Sequence, residues 1–222
     1  MPTPRSLLRW PLLLTAVLSS GSVAAPLHLG VITSITGRHA ALGAQQLAGY
    51  AAGVAEIKRR KLLGNQSLTL VVQDDISNAA YAVLAANSLA GRNVPLILTF
   101  DTSDSSNALA RFASKQQRPL VLLDGQRGGT ASAFVIRLTD LNVTAKDTLI
   151  KFRKQLGKNA NSEHAIRAYL GLLALATALR TTDINNTKAL AQALLKASMP
   201  SPYGTVRFTS NTQTTALLST AR

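Results

Sequence analysis

The pattern of apolar and polar residues in the first half of the chain predicts a strand at 67–73, a helix at 78–91 and a second strand at 94–99. The first strand alternates, then runs apolar, and is closed by an acidic pair. The helix carries apolar residues at helical spacing, with Asn78 placed to cap it and Gly91 placed to end it. Because a parallel strand pair needs a crossover of this kind, the segment predicts a parallel α/β sheet.

The same patterns along the whole chain predict a three-layer α/β/α domain with a mostly parallel sheet. The predicted strands are 28–33, 67–73, 94–99, 119–123, 133–138 and 204–208, and the predicted helices are 39–61, 78–91, 106–116, 143–157, 161–180 and 186–197. The Ala- and Leu-rich segment 165–179 is apolar on nearly every side, so we expect it to be the most buried helix. We expect Val71, Leu96, Ile97, Val121 and Leu122 to be buried, and Lys58, Arg59, Arg60 and Lys61 to be exposed.

The N-terminal segment 1–24 has the features of a secretory signal peptide. Arg5 and Arg9 precede an apolar core, and small residues follow up to Ala25. The core is short for a membrane span, and an uncleaved anchor is the alternative interpretation. We therefore expect a soluble periplasmic protein with a single α/β domain at 25–208 and a loosely ordered tail at 209–222.

The chain is strongly basic, with 24 Lys and Arg against 10 Asp and Glu and a formal net charge of +14. One basic cluster, Lys58 to Lys61, falls in the last turn of a predicted helix, where cations complement the helix dipole. No aromatic residues interleave with the basic ones as stacking platforms for bases would require. We therefore expect a solvated basic surface and no nucleic-acid partner.

No enzymatic motif is found in the sequence. The three histidines, His28, His39 and His164, lack the spacing of a metal site, and the chain has no cysteine. For His164 we expect a surface or capping role. Neither a nucleophile elbow nor a phosphate-binding loop is present. We therefore predict no enzymatic activity, no metal and no cofactor.

Two further patterns have structural explanations. Asp74 and Asp75 are adjacent at a strand end, where neighbouring side chains diverge, so they are expected to serve turns and caps rather than a metal site. Gly43, Gly49 and Gly53 are spaced along a helical pattern and are expected to permit close packing of that helix on the sheet.

Three segments, taken in order, resemble the periplasmic solute-binding proteins for leucine, isoleucine and valine. These are the type I binding proteins that serve ABC importers of amino acids and amides. The segments are 29–57, with Ser-Ile-Thr-Gly at 34–37, then 73–87 and 162–208. The resemblance implies the periplasmic-binding-protein-like I fold. Only a single lobe is expected, because the interval from Asp124 to Lys151 is too short for the family's second lobe.

The ligand site of an open parallel α/β sheet lies beyond the carboxyl ends of its strands, where the strand order reverses. The loops predicted at those ends are Ser34 to Gly37, Phe100 to Ser106 and Asp124 to Arg127. The middle loop runs into a helix that is expected to begin near Asn107. Helix N-terminal N–H groups and serine hydroxyls suit a carboxylate ligand.

The resemblance maps the family's ligand-binding positions onto Ser103, Ser105, Ser106, Gly125 and Gln126. Ordinary helix capping is the alternative explanation of the serines.

Two acids complicate a site for amino acids. Asp101 and Asp104 would repel a carboxylate unless one of them turns away or pairs with the ligand's ammonium group. In the family that partner lies on the second lobe. Either one of these aspartates replaces it, or the ligand is not an amino acid.

Two functions remain open from the sequence. The first is the substrate-binding component of an ABC importer for amino acids or amides, with an ABC permease as partner. The second is a non-transport interaction protein that holds a partner protein at the exposed cleft. For a single lobe we expect one of two outcomes: a homodimer or hetero-complex through the open face, residues 34–37, 101–106 and 124–130, or no tight ligand at all.

Overall fold

The computed structural model describes residues 25–100, 104–124, 132–139, 141 and 152–210. In chain order the elements are β1 (Leu27–Thr33), α1 (Ala40–Arg60), β2 (Leu68–Asp74), α2 (Ala79–Gly91), β3 (Ile97–Thr99), α3 (Asp104–Gln116), β4 (Leu120–Leu122), β5 (Val135–Leu138), α4 (described over 152–156), a 3-10 turn (Gly157–Asn159), α5 (Glu163–Leu179), α6 (Thr187–Lys196), β6 (Ser198–Ser201) and β7 (Gly204–Ser210).

The seven described strands form one sheet in the order β2-β1-β3-β4-β5-β7-β6. The first five strands of that order are parallel, whereas β7 runs antiparallel to both β5 and β6. This confirms the predicted α/β fold with a mostly parallel sheet. It also confirms a single lobe, since β5 falls within the short interval and joins the same sheet.

Helices cover both faces of the sheet and bury two apolar clusters. One cluster packs under α1, α5 and α6, and the other packs under α2 and α3. Successive strand residues serve opposite clusters, because side chains alternate across a strand: Leu98 lies in the first and Ile97 in the second. All five strand residues predicted to be buried are buried, namely Val71, Leu96, Ile97, Val121 and Leu122.

Helix α5 is the most buried helix of the described residues, as the sequence predicted, with every residue from Ala165 to Leu179 buried except Thr177. Its neighbour α1 approaches closely through glycines. A Cβ at Gly49 would overlap the carbonyl oxygen of Ala165, and one at Gly53 would press on Leu172. The prediction of helix–sheet packing was therefore wrong for these two glycines. They face a second helix, because α1 and α5 lie side by side on the same face of the sheet.

Some element boundaries differ from the prediction. Strand β6 was not predicted, because Ser-Met-Pro-Ser is short, polar and contains Pro200. It is held by pairing with β7, which extends to Ser210. Of the helix predicted at 143–157, only 152–156 falls within the described residues. The signal peptide predicted at 1–24 and the tail beyond residue 210 lie outside them.

A buried carboxylate organises the basic C-terminal turn of α1. Glu56 is buried and accepts hydrogen bonds from Arg59 at 2.7 Å and from Arg60. The bonds from Arg59 outweigh the opposing effect of burial and, with Arg60, lower the pKa of Glu56 to about 2. Lys58, Arg59, Arg60 and Lys61 are exposed, as predicted.

We expect Glu56→Gln to lower the free energy of unfolding at neutral pH by roughly 1 kcal/mol, because its arginine partners are largely exposed. The pKa of Glu56 is lower in the folded protein than its ordinary value of 4.5. Its contribution is therefore complete above about pH 4.5 and is lost as the pH falls toward 2. Urea unfolding measured across this pH range should show that the free energy of unfolding falls less steeply with falling pH in the variant than in the wild type. Lys58→Gln serves as the control and should keep the wild-type profile.

Candidate functional site

The strand order reverses between β1 and β3, and this places a crevice at the carboxyl edge of the sheet. Strand β2 lies on one side of β1 and β3 on the other, so the loops that follow β1 and β3 lead to opposite faces. Ligands of such sheets bind at this point. The loop after β1, the loop after β2 and the N-terminus of α3 all meet there.

Asp74 ties the loop after β1 to the loop after β2. One of its carboxylate oxygens accepts the N–H groups of Ile35 and Ile76, each at 2.9 Å, and of Thr36 at 3.3 Å. The other oxygen accepts the Thr36 hydroxyl at 2.6 Å. Partial burial acts to raise the pKa of Asp74, but these hydrogen bonds outweigh it and lower the pKa below its ordinary value. The carboxylate is therefore a fixed structural anion at this edge.

Asp75 makes a second tie beneath the first. Its side chain is buried and accepts the Ser34 hydroxyl at 2.6 Å and the Ser77 N–H at 2.9 Å. The Ser77 hydroxyl in turn accepts the N–H of His39 at 3.0 Å. The predicted turn role of the acidic pair is confirmed, and the pair also connects two loops that are about 40 residues apart in sequence.

The loop after β2 is held in an unusual backbone conformation. Ile76 and Ser77 have φ angles of 51° and 56°, in the left-handed region. A β-branched residue is rarely found there, and strain of this kind persists only where surrounding bonds hold it. Asp74 and Asp75 supply those bonds. The result is an isoleucine side chain that is 44% exposed at the crevice.

An open groove of about 590 Å³ lies beside this loop. It is lined by Arg38, Ile76, Ser77, Asn78, Ala79, Ala80 and Ser105. The N-terminal turn of α2 forms one wall, and its cap is the predicted one, with the Asn78 side chain accepting the N–H of Ala80 at 2.8 Å. The lining combines a cation, hydroxyl groups and a positive helix end with one large apolar side chain, that of Ile76, and two alanines. Such a groove suits a small anion that carries an apolar group.

A much smaller cavity of about 10 Å³ lies deeper in the crevice, between the ends of β1 and β3. It has room for about one water molecule. Polar groups line it: the Thr33 hydroxyl donates to the side-chain oxygen of Gln46 at 2.5 Å, and the Thr99 hydroxyl donates to the carbonyl of Ile32 at 2.9 Å. These bonds fix the strand ends beneath the groove.

An aromatic group supports the edge from the α1 and α5 side. The Phe100 ring lies 5.6 Å from His164 and 6.5 Å from Tyr50, measured between ring centroids. Burial lowers the pKa of His164 below its ordinary value. His164 is therefore half-buried against an aromatic ring rather than a surface or capping residue, and its neutral form is favoured.

The structure places the predicted site residues as follows. Helix α3 begins at Asp104, before the predicted start, because the Asp-Ser-Ser sequence continues the helix instead of forming a loop. Ser105 and Ser106 are thus buried in its first turn, and Ser105 contributes to the groove. Asp101, Ser103, Gly125 and Gln126 lie outside the described residues.

Sequence reasoning did not identify Arg38 and Ile76 as residues of the site. Arg38 directly follows the Ser-Ile-Thr-Gly segment, and its position after a strand end was the available signal. For Ile76 the available signal was the acidic pair that precedes it. Asp side chains favour turns, and a residue in such a turn is exposed.

Among the described residues there is no group of three or more His, Cys, Asp or Glu side chains placed to hold a metal ion. None of the helices searched, all within that part of the chain, combines the length and apolarity needed to cross a membrane.

A protein-family comparison places residues 26–158 in a family described as periplasmic binding protein. Comparison with curated proteins gives no match.

Solved structures share the fold. An ABC transporter substrate-binding protein from Sphaerobacter thermophilus matches with a TM-score of 0.64 and 13% identity, over 85% of this chain and 90% of that one. The branched-chain amino acid transporter substrate-binding protein LivJ from Streptococcus pneumoniae, in complex with isoleucine, gives a TM-score of 0.66 and 12% identity, over 84% and 93% of the two chains. An ABC transporter structure from Rhodopseudomonas palustris gives 0.61 and 12%, over 81% and 90%.

Proposed function

The chain belongs to the periplasmic binding protein family, and we propose that it is the substrate-binding component of an ABC importer for amino acids or amides, reduced to one lobe. The observation that carries this proposal is the open groove at the strand carboxyl edge, with Arg38, Ser77 and Ser105 beside the exposed Ile76. LivJ, which shares the fold, holds isoleucine, a ligand with a carboxylate and an apolar side chain.

In this proposal the ligand's carboxylate lies at the positive helix ends near Arg38, and its side chain packs on Ile76. Ser103, Ser105, Ser106, Gly125 and Gln126 remain proposed contacts by resemblance. For an amino acid, the ammonium group pairs with Asp101 or Asp104.

The number of contacts limits the affinity. A two-lobed binder surrounds its ligand, whereas one lobe touches a single face. If a complete clamp binds at about micromolar strength, half of that free energy leaves roughly millimolar binding. We therefore propose that tight binding requires a second surface, supplied by another copy or another protein at the same edge.

Calorimetry and NMR titration with a panel of amino acids and amides, run beside light scattering, test this proposal. We expect weak binding by a monomer, or tighter binding by a dimer or complex, and we expect Arg38→Gln to weaken it. Arg92→Gln, at the other end of α2, is the matched control. Micromolar binding by a strict monomer would contradict the one-lobe account. An Arg38 variant that binds as well as the control would show that the ligand does not bind in the groove.

The strained loop gives a prediction that separates stability from binding. We expect Ile76→Gly to leave the free energy of unfolding unchanged or higher, within about 1 kcal/mol, because glycine tolerates the left-handed φ of this position. The same variant should lose ligand affinity with the lost side chain. Ile76→Ala is the control, since it removes the same side-chain contacts but tolerates the left-handed φ less well than glycine does; it should lose the same affinity and be less stable than Ile76→Gly. Chemical denaturation and the titration above measure the two effects; full binding by both variants would exclude contact with Ile76.

A second candidate function is a non-transport interaction protein. Four of the described residues expose large hydrophobic side chains: Ile35 and Ile76 in the two loops joined by Asp74, and Tyr81 and Leu84 on α2, the helix that follows. Exposed apolar groups gathered in this way favour contact with another protein. An importer permease and ATPase encoded beside this chain would favour transport, and their absence would favour this alternative.

Export to the periplasm is part of the same proposal, with cleavage before Ala25. An intact mass measured on protein from the periplasmic fraction should begin at this residue. A cytoplasmic species that retains Met1 would contradict the proposal.

A further inference from the structure

The end of the molecule opposite to the groove carries a cluster of exposed cations. Helix α1 starts at the strand carboxyl edge and ends at the opposite edge with Lys58, Arg59, Arg60 and Lys61, all exposed. We call this cluster, together with the residues added in the next paragraph, the basic end.

The first residues of the segment 152–156 add to the basic end from the side. The Phe152 ring packs on Tyr169, with 5.4 Å between the ring centroids. Burial raises the pKa of Tyr169, and the charges of Glu56 and the two arginines also act on this hydroxyl, so the segment lies near them. The exposed cations of this segment are Arg153 and Lys154, whereas Lys158 lies toward the start of α1, because Ser162 shortly after it donates its hydroxyl to Gln45 at 2.6 Å.

Acidic groups are distributed differently. Glu56 lies within the basic end, where it is buried and bonded to Arg59 and Arg60. The carboxylates of Asp74, Asp75 and Asp124 follow strands at the opposite edge.

One exposed carboxylate, Asp183, follows α5. Because Gly49 meets Ala165 and Gly53 meets Leu172, α5 runs in the same direction as α1, and Asp183 lies toward the same end of the molecule. Its side chain accepts the N–H of Asn185 at 3.0 Å. Among the described residues, a single exposed carboxylate at this end leaves the surface that faces away from the groove positive.

We propose that the basic end binds the surface of an anionic lipid bilayer. Lysine side chains near such a surface each strengthen binding about fivefold, and the effect acts within a Debye length. The basic end has no exposed large aromatic side chain in the described residues, since Tyr81 is on α2. A nucleic acid would call for stacking platforms, whereas lipid headgroups need only accessible charge. In this orientation the groove faces away from the bilayer.

Co-sedimentation with vesicles of equal parts phosphatidylglycerol and phosphatidylcholine tests the proposal. The double variant Lys58→Gln, Lys61→Asn removes two charges without touching the bonds of Glu56, and asparagine suits the φ of 52° at position 61. We expect about 30-fold weaker binding. The control Arg111→Gln removes one exposed charge from the middle of α3, on the other face of the sheet, and should bind nearly as wild type, whereas Lys58→Gln alone should bind about fivefold more weakly.

The absence of cysteine from the chain allows the orientation to be measured with single labels. A fluorophore on Asn65→Cys, next to the basic end, should become shielded from an aqueous quencher when vesicles are added. One on Ala80→Cys, exposed in the first turn of α2 beside the groove, should stay accessible. Unfolding midpoints equal to wild type establish that the variants are folded.

Three results would overturn the proposal. The first is binding to pure phosphatidylcholine vesicles that is as strong as binding to the anionic ones. The second is an equal loss of vesicle affinity in the basic-end and α3 variants. The third is full displacement of the protein from vesicles by duplex DNA at an equal charge concentration, which would indicate a nucleic-acid-binding surface instead.

Discussion

Replacing Gly49 by alanine is expected to lower the free energy of unfolding by about 3 kcal/mol. The added Cβ would overlap the backbone carbonyl oxygen of Ala165, and no side-chain rotation can relieve that overlap. Helices α1 and α5 would have to separate along a contact that contains the most buried helix of the described residues. Urea unfolding followed by circular dichroism measures the loss.

Gly91→Ala is the matched control, because it makes the same chemical change at the end of another helix. Nothing lies within 4 Å of a Cβ at this position, so we expect unchanged stability or a gain of up to about 1 kcal/mol. Equal changes in stability for both variants would show that the contact between α1 and α5 does not determine the effect.

Truncating Leu96 to alanine is expected to cost about 2–5 kcal/mol. Its side chain is fully buried, just before β3 at the centre of the parallel sheet, so the change leaves a cavity between the sheet and its helices. The measurement is the shift in denaturation midpoint at constant slope.

Leu84→Ala provides the comparison for this second prediction. Leu84 is 62% exposed on α2, and the same truncation there should change stability by less than about 0.5 kcal/mol. If Leu96→Ala left the midpoint unchanged, the strand would not be central to the fold.

The elements that the sequence predicted well are those with long, regular patterns. The α2 crossover, its Asn78 cap and its end at Gly91 follow from residue types whose preferences agree with the tertiary structure. Strand β6 could not be predicted, because its four residues have no apolar alternation and are held in place by pairing with β7.

The site was predicted less completely than the fold. Its position at the strand carboxyl edge follows from sheet topology, which is a general rule. Its lining depends on backbone conformations that residue type argues against, and Ile76 in the left-handed region is the main example. The start of α3 is a similar case: Ser105 and Ser106 suit a cap, a loop or a first turn, and long-range packing decides among these.

The ties made by Asp74 and Asp75 have a consequence for the thermodynamics of recognition. The two loops that we propose to meet a ligand are already joined to each other by side-chain hydrogen bonds. Ordering them on binding would otherwise cost about 0.5–1.5 kcal/mol for each immobilised side chain. A single lobe makes fewer contacts with a ligand than two lobes do. Because its loops are already ordered, binding costs it no additional free energy for ordering them. The selectivity of the lobe would then come from the fixed shape of these two loops. Differences in affinity between ligands would appear mainly in their dissociation rates.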